Sequence, residues 1–310
     1  MATFYHAYLA KEKLSRSMIH KNGIAGVGVG YVNPKNPKLG AGVVVYTTSN
    51  KVSITNAAPQ SVQLSVKGST VSVPVRTIPS GKFHSFADVD PRRFRERIRP
   101  VPAGYSVGHP EASGTAGLIV VNYPARTRLY ICSNNHVLNK NNSTGYTETI
   151  QPGGADGGRT VRDRIGRLDR FVRLRRNGDN FLDAATSKPL RNSLLSPTYA
   201  TVGVLPGHVR SYSVGDRFKK VGRTTGFVRG VVESINTDLF INYGKYGGLG
   251  SIRFRNQTVI TSSMPISLPG DSGSVWLRAK DNFAAAVNFA GTSDGKRSIA
   301  YPVQWFMQVF

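Results

Sequence analysis

The chain has 310 residues, a formal charge of +24 from 41 Lys and Arg against 17 Asp and Glu, and is 39% hydrophobic with one cysteine. The apolar fraction is too high for a disordered polycation, and the length is ample for one or two domains with a buried core. The lone Cys132 excludes a disulfide-stapled architecture, and no apolar run reaches the ~18–20 residues that cross a bilayer. Lys11, Glu12 and Lys13 interrupt the amino terminus before a signal-peptide core could form, so no membrane association and a cytoplasmic location are expected.

In chain order, residues 5–20 are predicted helical, because Ala7, Ala10, Leu14 and Met18 recur on one face. Ile24–Val32 reads as a glycine-rich strand. Its Gly26, Gly28 and Gly30 do not make a dinucleotide fingerprint, since Tyr31 stands where a third glycine is needed and no helix follows. Strands are expected at 41–48, 61–66 and 70–78, completing a small α+β segment over residues 1–100. The stretch Pro91–Pro100, with Arg92, Arg93, Arg95, Arg97 and Arg99, reads as a linker or the start of the next domain. From 101 to 310 short strands alternate with Gly, Asn and Asp turns, at 116–122, 128–133, 227–235, 250–255, 273–277 and 283–289. That pattern predicts an antiparallel sandwich or barrel, closed by a short helix after Pro302.

The sharpest local signal is Pro269-Gly-Asp-Ser-Gly-Ser274. Glycines flanking a serine permit a tight turn that exposes the hydroxyl and gathers backbone N–H groups into one space. A serine hydroxyl becomes a nucleophile only beside a base, and the base needs a carboxylate to fix its tautomer. Of the six histidines, His136 alone ends an apolar strand at a turn, in Tyr130-Ile-Cys-Ser-Asn-Asn-His-Val-Leu138. Asp183 is the acid set among small and apolar residues, in Asn180-Phe-Leu-Asp-Ala-Ala185. Asp163 and Asp169, among arginines, read as surface charges, and Asp216 and Asp238 as turn residues. Cys132 reads as a buried strand residue. No zinc or calcium spacing is present, so no metal or other cofactor is expected.

The order His136, Asp183, Ser272 in Ser133-Asn-Asn-His136, Leu182-Asp-Ala184 and Gly270-Asp-Ser-Gly273 resembles the chymotrypsin-fold (trypsin-like) serine proteases. The closest likeness is to disulfide-free bacterial members, including the HtrA type. Closer still are bacterial relatives of the plant Narrow Leaf 1 protein, which carry a small α+β segment ahead of the protease domain. Gly26–Tyr31, Ser133–Leu138, Val221-Gly-Arg-Thr-Thr-Gly226 and Pro269–Ser274 carry that likeness. The resemblance implies a mostly β fold of two antiparallel barrels over 101–310. His136 and Asp183 would come from the first barrel and Ser272 from the second. It implies acyl transfer on a protein or peptide substrate, with the Gly270 and Ser272 amides as oxyanion hole. The pocket floor would be Ile266 and its wall Asn288, Phe289 and Ala290. A floor without an acid implies small or medium apolar side chains rather than Arg or Lys. No Ile-Val amino terminus is available to neutralise Asp271. An arginine or backbone donors must serve instead, or activation awaits a ligand or partner.

Residues 159–176 hold eight arginines against two aspartates, with Ile165, Leu168, Phe171, Val172 and Leu174 supplying an apolar side. This cluster and Arg92, Arg93 and Arg95 could bind phosphates. The excess is nevertheless spread, with 15 basic and 4 acidic groups in 1–100 and 26 and 13 in 101–310, and no nucleic-acid-reading motif accompanies it. The rival expectation is a catalytically silent protease fold acting as a basic nucleic-acid-binding or scaffold protein.

Overall fold

In the computed structural model the described residues are 1–49, 58–66, 68–84 and 93–310, which leaves Arg92 outside them. Helix α1 (Phe4–Met18) starts where the Thr3 hydroxyl accepts from the His6 amide and the His6 ring accepts from the Thr3 amide, a reciprocal cap. Its Ala7, Ala10, Leu14 and Met18 are buried against β1 (Ile24–Tyr31) and β2 (Ala41–Thr47). The hairpin β3 (Ser61–Val66) and β4 (Ser69–Pro79) follows, with β4 parallel to β2. A two-residue strand, β5 (Phe83–His84), ends the segment.

The first barrel is built from β6 (Val101–Ala103), β7 (Ser106–Val107), β8 (Gly114–Thr115), β9 (Leu118–Val121) and β10 (Leu129–Ser133), then a one-turn helix α2 (Asn135–Leu138). It continues with β11 (Glu148–Ile150), β12 (Arg164–Phe171), β14 (Ala185–Pro189) and β15 (Leu195–Tyr199), while the short β13 (Asp179–Asn180) between them pairs in parallel with Arg253 and Phe254 of the second barrel. Its main sheet runs β11-β12-β14-β10-β9, all antiparallel, over a core of Ile131, Val137, Leu138, Ile165 and Ala185.

The second barrel uses β16 (Arg217–Gly222), β17 (Gly226–Asn242), β18 (Ser251–Thr261), β19 (Val275–Arg278), β20 (Ala284–Thr292) and β21 (Arg297–Pro302). These pair antiparallel around a closed ring, β16-β17-β18-β21-β20-β19 and back to β16. Closure removes the exposed sheet edges. Helix α3 (Val303–Val309) follows Pro302 and buries Val303 and Phe306. One apolar cluster joins the barrels, from Leu118, Cys132, Ala184 and Tyr199 to Val221, Leu239, Phe254, Phe289 and Tyr301.

Residues 1–48 are continuous with the second barrel rather than set apart from it, because β1 pairs antiparallel with β17. The glycines permit that seam. A Cβ on Gly28 would lie 2.3 Å from Thr237 Oγ1, and one on Gly30 would lie 2.7 Å from the Glu233 carbonyl. Two acids depart from the sequence reading. Asp163 is fully buried and accepts from Arg97, Arg162 and the Arg159 amide, so it is no surface charge. Asp238 lies inside β17, buried against Lys11 Nζ at 3.0 Å and accepting from Ser15 Oγ at 3.0 Å, so it is no turn residue. Strands β14 and β21 lie outside the strands expected from the sequence. Their interiors are rich in Arg, Lys, Thr and Ser, which hides the strand signal.

Candidate active site

Strand β10 ends at Ser133 and α2 turns His136 inward, its side chain about 10% exposed. The Asn134 side chain donates to the Asp183 carbonyl at 2.7 Å and the Tyr301 hydroxyl to the same oxygen at 3.1 Å, fixing the segment that carries the acid. Asp183 is fully buried. Its Oδ2 lies 2.5 Å from His136 Nδ1 and accepts from the Tyr243 hydroxyl at 2.5 Å, while Oδ1 accepts from the His136 amide at 3.2 Å. The carboxylate thus holds the ring and the backbone of one histidine. The Tyr243 and Tyr246 rings stand edge-on to that imidazole, at 5.7 and 6.3 Å between centroids. Burial, and after it the neighbouring Asp183 carboxyl, drives the Tyr243 phenol well above its ordinary pKa.

Ser272 reaches the same place from the second barrel. Gly114 is wedged between Val137 and the Ser272 carbonyl, since a Cβ there would lie 2.4 Å from Val137 Cγ2 and 2.8 Å from that oxygen. The Thr115 amide donates to the Ser272 carbonyl at 2.8 Å. Gly270 and Gly273 sit at φ +91° and +90°, where a side chain is strained and would also strike Arg223 and Ser133. Asp271 N donates to Leu268 O, while the amides of Gly270 and Ser272 find no acceptor among the described residues. Ser272 Oγ donates to Phe289 O at 3.4 Å. His136 Nε2, buried, has no partner among the described residues, so the serine–histidine hydrogen bond is not made in this state.

Beneath the loop, Asp271 is fully buried. Its Oδ1 accepts from the Thr224 and Thr225 amides at 2.9 and 3.0 Å, and Oδ2 from the Leu268 amide at 2.9 Å. Lys220 Nζ lies 3.6 Å from Oδ2. Both anticipated kinds of partner are therefore answered, by backbone donors and by a lysine in place of an arginine. Arg223 instead pairs with Asp156, its Nε 2.7 Å from Oδ2, and spans to Pro269 O at 3.4 Å. Ile266, Asn288, Phe289 and Ala290 are all buried. The Asn288 amide donates to Asp271 O at 3.0 Å and its oxygen accepts from Ser267 and Ser298, so this side chain supports the loop from below.

His109 is a further buried histidine near His136, with Nδ1 accepting from the Glu111 amide at 3.2 Å. Burial, opposed by Glu111 and aided by Lys140 and His136, lowers its pKa from 6.5 to about 4. The folded state thus binds its proton less readily than the unfolded state does. Its stabilising contribution is complete above pH 6.5 and is lost as pH falls through 6.5 towards 4. The loss amounts to about 3 kcal/mol for this shift. Thermal melts between pH 8 and 4 are expected to show that decline, and His109→Asn to flatten it.

Of the arginine clusters, Arg93 is exposed beside Phe94 and Arg95 is buried near Asp156. Arg97 and Arg162 are spent on Asp163. Arg167, Arg170, Arg173, Arg175 and Arg176 are exposed along and after β12, with Arg170 bonded to the carbonyls of Val309 and Phe310. Cys132 is buried, and burial pushes its thiol pKa up, so it is no ready nucleophile.

The structure is similar to that of a glutamic acid specific serine protease (19% identity, 67% of this chain and 97% of the other, TM-score 0.48). It is also similar to the Nocardiopsis protease (17%, 67% and 95%, 0.48) and to Cellulomonas bogoriensis chymotrypsin (19%, 67% and 94%, 0.46). No family model and no curated protein matches the sequence. These neighbours are serine proteases of the chymotrypsin fold, and the present chain is mostly β with a chymotrypsin-like double barrel and helices at both ends. That class rests on the two barrels themselves. Among the described residues no helix is long and apolar enough to cross a membrane.

Proposed function

We propose that the protein is a serine endopeptidase. The observation that carries this reading is the His136–Asp183 pair beside a serine loop whose Gly270 and Ser272 amides have no acceptor among the described residues. In the proposed reaction Ser272 Oγ attacks a peptide carbonyl as His136 Nε2 takes its proton. The tetrahedral oxyanion is received by these two amides, and His136 returns the proton to the leaving amine, which leaves an acyl-serine. Water then repeats the sequence, with His136 again as base. Asp183 keeps the Nδ1 proton pointed at itself, which presents Nε2 as the acceptor. A serine turned to the Phe289 carbonyl and not bonded to His136 fits a resting site, since catalytic hydrogen bonds are commonly completed only around substrate.

Ile266, Phe289 and Ala290 supply no charge, which favours a small or medium apolar residue before the scissile bond. The likeness to Narrow Leaf 1 relatives rests on sequence motifs alone and would place the chain in that subgroup. The test is cleavage of unfolded casein and of a quenched fluorescent peptide mixture. Wild-type protein is expected to cut after apolar residues and His136→Ala to be silent. Equal, background-level cleavage by both would remove the enzymatic reading, and salt-sensitive oligonucleotide binding would then favour the scaffold alternative.

Tyr243 acts in this scheme as a positioning residue. Removing its hydroxyl leaves Asp183 Oδ2 with one donor fewer in a buried site, a loss of about 1.5–3 kcal/mol for a hydrogen bond to a charged group. Tyr243→Phe is expected to lower the unfolding free energy by that order and kcat by about tenfold, with KM little changed. Denaturant titration and steady-state kinetics on one ester substrate check both numbers.

A further inference from the structure

One edge of β20 leads straight to Ser272. On it the Asn288 backbone accepts from the Gly273 amide and donates to the Ser274 carbonyl, both at 2.8 Å, and Phe289 offers its carbonyl to Ser272 Oγ. A peptide that presents a carbonyl to Ser272 needs partners for its preceding backbone groups, and an open strand edge supplies them. Here that edge is taken two residues further on. Strand β5 pairs antiparallel with it, His84 opposite Gly291 and Phe83 opposite Thr292. The other side of β5 pairs with Asn242 of β17, the residue before Tyr243. So β5 lies between the strand that meets Ser272 and the strand whose end meets Asp183. Its antiparallel sense runs the chain from Thr292 to Gly291, towards Phe289, which stands roughly 7 Å of strand beyond that bridge.

We infer that β5 is a built-in occupant of the edge on which the residues before the scissile bond would pair, so that the chain competes with its own substrate there. This rests on the reading of Ser272 as the nucleophile. Burial agrees with it. Ser272 is 1% exposed, and His136 Nε2 is buried with no partner among the described residues, so the site is covered as a filled groove would be. Between Ser272 and β5 the edge retains Phe289 and Ala290, which gives room for two residues of a substrate. A third would meet His84. The occupant is also small enough to leave. Phe83 is held by burial, with its ring edge-on to Tyr46 at 5.8 Å, and no long ladder fixes the two-residue strand. Lys82 and Phe83 border a cavity of about 360 Å³ together with Ile24, Phe240 and Asn242, into which the strand can shift. A substrate with more than two residues before the scissile bond binds the molecules in which β5 has left β20. Its apparent rate falls by that fraction.

The test uses two phosphonates with the same reactive group, one on a single apolar residue and one on a tetrapeptide ending in that residue. Rates of Ser272 labelling are compared in wild type and in His84→Pro, since proline has no N–H for either ladder and is excluded from a strand paired on both sides. Hydrogen exchange over 81–84 is followed in wild type before and after each label. The two probes are expected to label wild type within about threefold of each other, and the tetrapeptide probe alone to gain about tenfold or more in His84→Pro. In wild type the tetrapeptide adduct is expected to speed exchange over 81–84 and the single-residue adduct to leave it slow. A tetrapeptide probe that outruns the other about tenfold in wild type, or gains nothing in His84→Pro, would overturn the inference. If that variant does not fold, the wild-type rates and exchange decide alone. Wild-type protein that takes neither label refutes the peptidase reading, and this inference falls with it. Labelling by both probes with exchange over 81–84 unmoved refutes the inference and leaves the peptidase reading standing.

Discussion

Replacing Ser272 by alanine is expected to reduce peptide hydrolysis by at least about 10⁴-fold while leaving the melting temperature nearly unchanged. The two halves of that expectation have separate origins. Chemically, the alanine removes the one atom that forms the acyl bond, and the residual rate is what binding and the two loop amides can supply to water. Structurally, Ser272 Oγ contributes a single long contact of 3.4 Å to Phe289 O, and the loop is held by other groups. Those groups are Asp271 beneath it, the Thr115 amide on the Ser272 carbonyl, and the two positive-φ glycines. A scaffold protein with a vestigial site would show the same stability and no change in a rate that was never above background. Steady-state kinetics on one peptide substrate, with melts on the same samples, separates these outcomes.

Asp183→Asn is expected to be nearly as severe, about 10⁴-fold in kcat, and for a reason of tautomer rather than charge alone. Asp183 accepts at both oxygens, from His136 Nδ1, the His136 amide and Tyr243, and these contacts offer it no acceptor. An amide must turn its NH₂ towards one of those donors. If it faces His136 Nδ1, the imidazole protonates at Nε2 instead and has no lone pair for the Ser272 proton. If it faces the backbone amide, the α2 turn is disturbed. KM is expected to move little, because none of these atoms lies where substrate would bind. A kcat loss below tenfold would mean that another group fixes the ring.

Much of this site was legible because its signals are local. The glycines around Ser272 and the apolar strand before His136 each declare themselves within a few residues. So did α1, whose Ala7, Ala10, Leu14 and Met18 all proved buried. What was not legible depends on partners far along the chain. Asp238 reads as a turn acid until Lys11 and Ser15, more than 220 residues earlier, are packed on it. Asp163, among arginines, looks the same whether those arginines solvate it or bury it. Tyr243, at the end of the long strand β17, gives no local hint that its hydroxyl meets Asp183. Lys220 did leave a trace. Phe218, Lys220 and Gly222 share one face by strand alternation, and a lysine between an aromatic residue and a glycine on an inward face requires an acid opposite. The +24 charge pointed elsewhere, towards polyanions. Part of it proves to be internal, in Lys11, Lys220 and Arg223, where each cation compensates a buried carboxylate.

The most direct test of the central claim is to treat the folded protein with a fluorophosphonate and locate the adduct by mass spectrometry. The account predicts a single adduct on Ser272, absent after denaturation, in Ser272→Ala and in His136→Ala. No adduct on the native protein, or one that survives the loss of His136, would contradict it.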